Sequence, residues 1–176
     1  MAPGNVFVDE SKARDYLLIA SVVLPIDVTA ARKDVRALVL SGQRRIHMKS
    51  ESDTRRRVIL TAFEEHGFTA TIYRAGTTYK TDLDRRAACL KQLVDDIAAC
   101  GHSTLCLESD ESLNKQDRRH LARMVRAAGC PDLHYLHDRA AQEPLLAIPD
   151  AIGWAWARGG TWRRRVRPLV LDVIDV

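Results

Sequence analysis

Three carboxylates stand where an apolar residue or a simple turn former would be ordinary. VFVDES, residues 6–11, ends an apolar run in Asp9 and Glu10. STLCLE, residues 103–108, ends a second such run in Glu108. In LLAIPDAIGWAW, residues 145–156, Asp150 is the sole charge between Glu143 and Arg158. An ionised carboxylate in so apolar a segment is costly unless it is paired, solvated in a cleft or bound to metal. Each also has a plain explanation: Asp9 can initiate a turn, Glu108 can meet solvent at a strand end, and Asp150 can cap a helix behind Pro149. Together they carry more weight. Carboxylates at the ends of two neighbouring strands and on a helix crossing them would repel, so a cation must hold them. Mg²⁺ or Mn²⁺ fits, because both prefer oxygen ligands. Two such ions about 4 Å apart clamp a phosphodiester for in-line attack.

The elements that must position these groups follow from the hydrophobic pattern. Residues 5–9 read as a strand, a tight turn runs through Lys12 to Asp15, and residues 16–24 form a second strand closed by Pro25. The short link predicts an antiparallel hairpin. Helices are predicted from Asp27 or Thr29 to about Leu40, from Ser50 or Ser52 to about His66, and from Thr81 or Asp82 to Cys100. Further helices are predicted over residues 115–128 and 144–158. Strands are predicted over residues 68–74, 103–108, 133–136 and 168–174, with a short extended piece over 45–49 and a basic segment before the last strand. The alternation of helices and strands after a hairpin predicts an α/β fold, a mixed β-sheet flanked by helices. With no repeat or linker, residues 1–176 read as a single domain.

Composition narrows the function classes. No apolar run reaches the length of a membrane span, and MAPGNVFVDE lacks the basic start and apolar core of a signal peptide. A cytoplasmic location is the expectation. Cys100, His102 and Cys106 lie close in sequence but lack a fourth partner, so reduced thiols are expected in place of zinc. The formal net charge is +4, mostly from arginine, including Arg44-Arg45, Arg118-Arg119 and Arg163-Arg164-Arg165. Such a surface favours a polyanion, and Arg44, Arg45, Lys49, Arg163, Arg164 and Arg165 are the candidate nucleic-acid contacts. A solvated face or hairpin is the plain alternative. Trp154 and Trp156 are expected in the core, while Trp162 sits beside three arginines.

VFVDES, LCLESDES and EPLLAIPDAIGWAWARGG together carry a resemblance. The chain resembles a bacterial family of uncharacterised proteins that open with a strand and an Asp-Glu-Ser-Gly motif, within the ribonuclease H-like superfamily. The resemblance implies a ribonuclease H-like fold and divalent-metal-dependent phosphodiester cleavage, with Asp9, Glu108 and Asp150 as catalytic Mg²⁺ or Mn²⁺ ligands. Glu10, Asp110, Glu51, His47 and His137 are candidates around them, and nucleic acid is the implied partner. Lys12 replaces the motif's glycine, Glu108 a commoner aspartate and Pro149 a commoner alanine. Lys12 places a cation near the site, which opens the alternative of a non-catalytic binding module for nucleic acid or protein.

Overall fold

The computed structural model describes residues 3–176, and its architecture grows from strict alternation in the first strand. In β1 (Asn5–Lys12), Val6 and Val8 face one core cluster, whereas Phe7 faces the other. Asp9 therefore follows Phe7, and Glu10 follows Val8, to opposite faces of the sheet. β2 (Tyr16–Val23) returns antiparallel, closing the predicted hairpin with Lys12 opposite Tyr16. β3 (Ala70–Ala75) pairs antiparallel with β2. β4 (Thr104–Glu108) lies parallel to β1 on its other side, with Val8 opposite Leu107 as the last pair. Asp9 and Glu108 thus sit one step beyond that pair. Glu108 ends β4, whereas β1 continues to Lys12, past the end at Asp9 that the sequence predicts, because the pairing with β2 carries on.

β5 (His134–Asp138) and β6 (Val170–Asp175) complete a six-stranded mixed sheet in the order β5-β4-β1-β2-β3-β6. On the Phe7 face lie α1 (Val28–Ala37), α2 (Asp53–Glu65), α5 (Ala147–Arg158) and α6 (Gly160–Val166). On the Val8 face lie α3 (Asp82–Cys100) and α4 (Asn114–Ala127). The mixed α/β class with its opening hairpin is as predicted. No helix among the described residues is long and apolar enough to cross a membrane.

Local chemistry sets the helix ends. Ser52 accepts from the Arg55 amide and Thr81 from the Asp84 amide, satisfying first-turn donors. Gly101, at φ 69°, terminates α3 in the left-handed conformation. The structure departs from the sequence reading at residues 45–49, where a loop and a 3₁₀ turn at Met48–Ser50 replace an extended piece. It also forms a helix, α6, where a basic segment or hairpin was predicted. The turn at Gly159 and Gly160, both at positive φ, starts a new helix that the charge run had concealed.

α5 matters most for the site because it crosses β1 and β2. Gly153 permits that crossing: a Cβ there would lie 2.6 Å from Ile19 Cδ1 and 2.9 Å from its Cγ1. Ile19 is itself buried, so it has little room to move. Gly153→Ala is expected to lower stability by about 1–2 kcal/mol net of its gain in helix propensity. Urea denaturation checks this; an unchanged or raised midpoint would show that the helix can slide.

Candidate active site

The three carboxylates singled out in the sequence come together where β4 ends beside Asp9 of β1, on the Phe7 face. Asp9 takes a hydrogen bond from the Glu10 amide at 2.7 Å. By surface area Asp9 is partly exposed, yet its carboxyl is well withdrawn from water. That burial, followed by the negative charges of Glu108 and Asp150, pushes its pKa well above the ordinary carboxylate range. Glu108 receives Arg45 Nη1 at 2.7 Å. Asp150, in the first turn of α5, accepts the Met48 amide at 2.9 Å through Oδ2. Its Oδ1 lies 3.7 Å from His47 Nδ1, a buried atom without a hydrogen-bond partner. The Asp150 carboxylate raises the pKa of His47, against the effect of burial.

Positive charge beside this acidic group therefore comes from Arg45 and His47. Lys12 pairs instead with Glu10 at 2.7 Å, and both line the groove that runs past Asp150. Among the described residues, no group of three or more His, Cys, Asp or Glu side chains is gathered tightly enough to hold a metal ion. In chemistry the donors suit a hard divalent cation: all are carboxylate oxygens, and Asp9 is crowded by like charge. In position, Glu108 is engaged by Arg45 and Asp150 by the Met48 amide, so a cation would compete with Arg45 for Glu108.

Two open spaces adjoin these carboxylates. A cavity of about 380 Å³ is lined by Asp9, Glu108, Ser109, Asp110, Glu111 and Arg86, among others. A larger groove of about 590 Å³ runs along Asp150, Trp154 and Arg158, which recur every four residues on one face of α5. His47, Lys49 and Arg56 form its other wall. Arg56 is fixed over the Trp154 ring at 4.2 Å and donates to the Met48 and Lys49 carbonyls. Lys49 is exposed, as is Arg158.

Glu10, which lines both spaces, belongs to a network under α3 and α4. Arg86, almost wholly buried, holds Glu10 and makes two bonds to Asp117: Nε to Oδ1 at 2.9 Å and Nη2 to Oδ2 at 2.7 Å. Tyr16 donates to Glu10, and His137 Nε2 lies 3.0 Å from Asp117 Oδ2. Burial alone would raise the pKa of Asp117, but its bonds to Arg86 and His137 prevail and hold it at about 2. A depressed carboxylate pKa supplies stability that is complete above the unfolded value near 3.8 and is lost as pH falls through about 2. Asp117→Asn is expected to flatten the acid limb of stability between about pH 4 and pH 2. A titration of the urea midpoint checks it, and an unaltered limb would deny Asp117 that role.

Other sequence candidates have definite places. His137 lies on the opposite sheet face from Glu108, one residue before the paired position Asp138. Glu51 is buried between Gln43 and Arg55. Asp110 accepts from the Ser112 amide and hydroxyl at the rim of the smaller cavity. Arg44 and Arg164 are exposed. Arg163 lies over the Trp156 ring and donates to its carbonyl, and Arg165 pairs with Glu64 and Thr61. Cys89 and Cys106 are buried thiols pushed up to about 12 by desolvation, and Cys106 lies in the core cluster of the Phe7 face. The Arg86–Asp117 pair escaped the sequence reading although a signal exists. Arg86 continues the buried α3 stripe of Leu90, Leu93 and Ile97, and Asp117 the α4 stripe of Leu121 and Val125. A charge on an apolar stripe needs a buried partner.

No family model matches the chain, and no curated protein matches its sequence. A solved structure, the PCNA:RNase HII complex from Archaeoglobus fulgidus, contains a chain that superposes with a TM-score of 0.56. The likeness covers 96% of this chain and 76% of that one, at 12% sequence identity. The fold is ribonuclease H-like. In this ribonuclease H-like sheet the hairpin supplies the central strands, β4 joins parallel to β1, and Asp9 and Glu108 stand where that parallel pairing stops.

Proposed function

We propose that the chain is a divalent-metal-dependent nuclease, hydrolysing phosphodiesters with Asp9, Glu108 and Asp150 as the ligands of Mg²⁺ or Mn²⁺. The crowding of Asp9 by Glu108 and Asp150 carries this reading. Three carboxylates kept together at a sheet end lower stability there, and a bound cation restores it. The all-oxygen donor set suits a hard ion over a softer one. When bound, such an ion supplies activation of the attacking water and stabilisation of the leaving oxygen.

The chain's own residues do the positioning. The Glu10 amide orients Asp9, and the Met48 amide orients Asp150. Lys49 and Arg158, exposed along the groove beside Asp150, offer positive charge to the phosphates flanking the bond to be cut. Nucleic acid is the partner this surface suits, and the likeness to a ribonuclease HII agrees with it.

A labelled nucleic acid incubated with Mn²⁺ tests the reading. Hydrolysis is expected with the natural chain and a loss of about 10³-fold with Asp150→Asn, several kcal/mol of lost transition-state stabilisation. Full activity in the variant would remove Asp150 from the ligand set.

One observation favours a second reading. Arg45 engages Glu108 at 2.7 Å, as it would if Arg45 and His47 neutralised the acidic group permanently in a non-catalytic binding module. The readings diverge at Arg45→Ala. For a hydrolase the variant frees Glu108 and binds Mn²⁺ several-fold more tightly, whereas a binding module gains no metal affinity.

A further inference from the structure

The face of α4 turned away from the core carries Lys115, Arg118, Arg119, Arg123 and Arg126, all exposed. At 100° per residue these five lie within one arc of about 140°, which the buried Asp117, Leu121 and Val125 do not enter. None forms a salt bridge among the described residues, although arginines elsewhere commonly do, as in Arg74–Asp175, Arg85–Asp82 and Arg165–Glu64. The sole acid of the helix, Asp117, is buried and committed to Arg86. Five cations less Asp117 equal the chain's whole formal net charge of +4, so the remainder of the molecule is balanced. A face placed for solubility alone would mix signs, as α3 does with Asp82, Asp84, Lys91 and Asp95.

The stripe has a length and a direction. From Lys115 to Arg126 the helix rises about 17 Å. A duplex presents one negative charge per about 1.7 Å of axis, so a straight rod of this length meets enough phosphates for every cation. No Trp, Tyr or Phe lies on α4, and single strands are held by aromatic stacking as well as charge. The N-terminal end of α4 follows directly from Ser109–Leu113, a loop whose first residues line the cavity with Asp9 and Glu108.

We propose that this face of α4 docks the phosphate backbone of a double-helical nucleic acid and leads it toward that cavity. The cleavage for which it delivers the duplex rests on the hydrolase reading above; the docking itself does not.

Fluorescence anisotropy of a labelled DNA duplex in EDTA, over a range of NaCl concentrations, tests the docking with no contribution from metal. In the triple variant Arg118→Ala/Arg119→Ala/Arg123→Ala, affinity is expected to fall on the order of 100-fold near 0.1 M salt. The slope of log affinity against log salt is expected to become shallower by about 3. These side chains are exposed, and an unchanged circular dichroism spectrum confirms folding. Wild-type affinity in the variant would overturn the proposal, as would absence of duplex binding by the natural chain. Equal binding of single strands would overturn its substrate class. Displacement of the duplex by polyglutamate at equal charge would assign the face to acidic proteins instead. Release of p-nitrophenol from bis(p-nitrophenyl) phosphate with Mn²⁺ separates the two readings, because that substrate is too small to reach α4. It is expected to be equal in both proteins, and its absence from both would end the hydrolase reading while the anisotropy still judges the docking.

Discussion

Asp9→Asn is expected to stabilise the metal-free protein and at the same time abolish its response to Mn²⁺. Burial and the charges of Glu108 and Asp150 penalise the ionised form of Asp9, raising its folded-state pKa. For such a group the favourable contribution is complete below the unfolded value and disappears as pH rises through the folded one. At neutral pH the metal-free protein therefore bears the strain, and a neutral amide of the same shape relieves it. A gain of about 1 kcal/mol corresponds to a rise in Tm of about 2–4 °C for a chain of this size. Wild type is expected to gain about 2.7 kcal/mol when Mn²⁺ stands at about 100 times its Kd. The amide lacks the charge that attracts the ion, so the variant does not share that gain. Thermal unfolding with and without Mn²⁺ reads both effects. Destabilisation of the metal-free variant would mean that Asp9 is held by attraction instead of crowding.

The second large effect is expected from Arg86→Met. Arg86 and Asp117 are buried, and Arg86 holds both Asp117 and the half-buried Glu10. Its removal leaves buried Asp117 with His137 alone beneath α3 and α4, while Glu10 keeps Lys12 and Tyr16, and costs about 3–5 kcal/mol. Adding Asp117→Leu removes the stranded charge and is expected to recover a large part of that loss, because buried pairs exchanged for apolar residues are often neutral. Urea denaturation of wild type, single and double variants measures the coupling. A single-variant loss below about 1 kcal/mol would show that water reaches the network. The response to Mn²⁺ is expected to persist in Arg86→Met, since Glu10 and Asp9 leave β1 on opposite faces.

Much of the fold was legible because period-two and helical patterns are local. The apolar runs leading to Asp9 and Glu108 marked β1 and β4, and Ser52, Thr81 and Gly101 marked helix ends through backbone chemistry. Less was legible where the deciding partner is distant in sequence. Arg45 reads as a phosphate contact until Glu108, sixty-three residues away, is seen to receive it. Likewise Arg165 meets Glu64 on α2, and Lys12 turns to Glu10 instead of the acidic group. α6 was hidden because a run of charges speaks of solvent, while Val166 beneath it is fully buried. The five cations of α4 could be counted in the sequence, but their lack of acidic partners is a property of the folded surface.

The central claim is that Asp9, Glu108 and Asp150 are metal ligands, and calorimetric titration of Mn²⁺ into the protein tests it most directly. Saturable binding by the natural chain, lost in Asp9→Asn while that variant remains folded, is the expected result. Absence of saturable binding by the natural chain, or equal binding by both proteins, would contradict it.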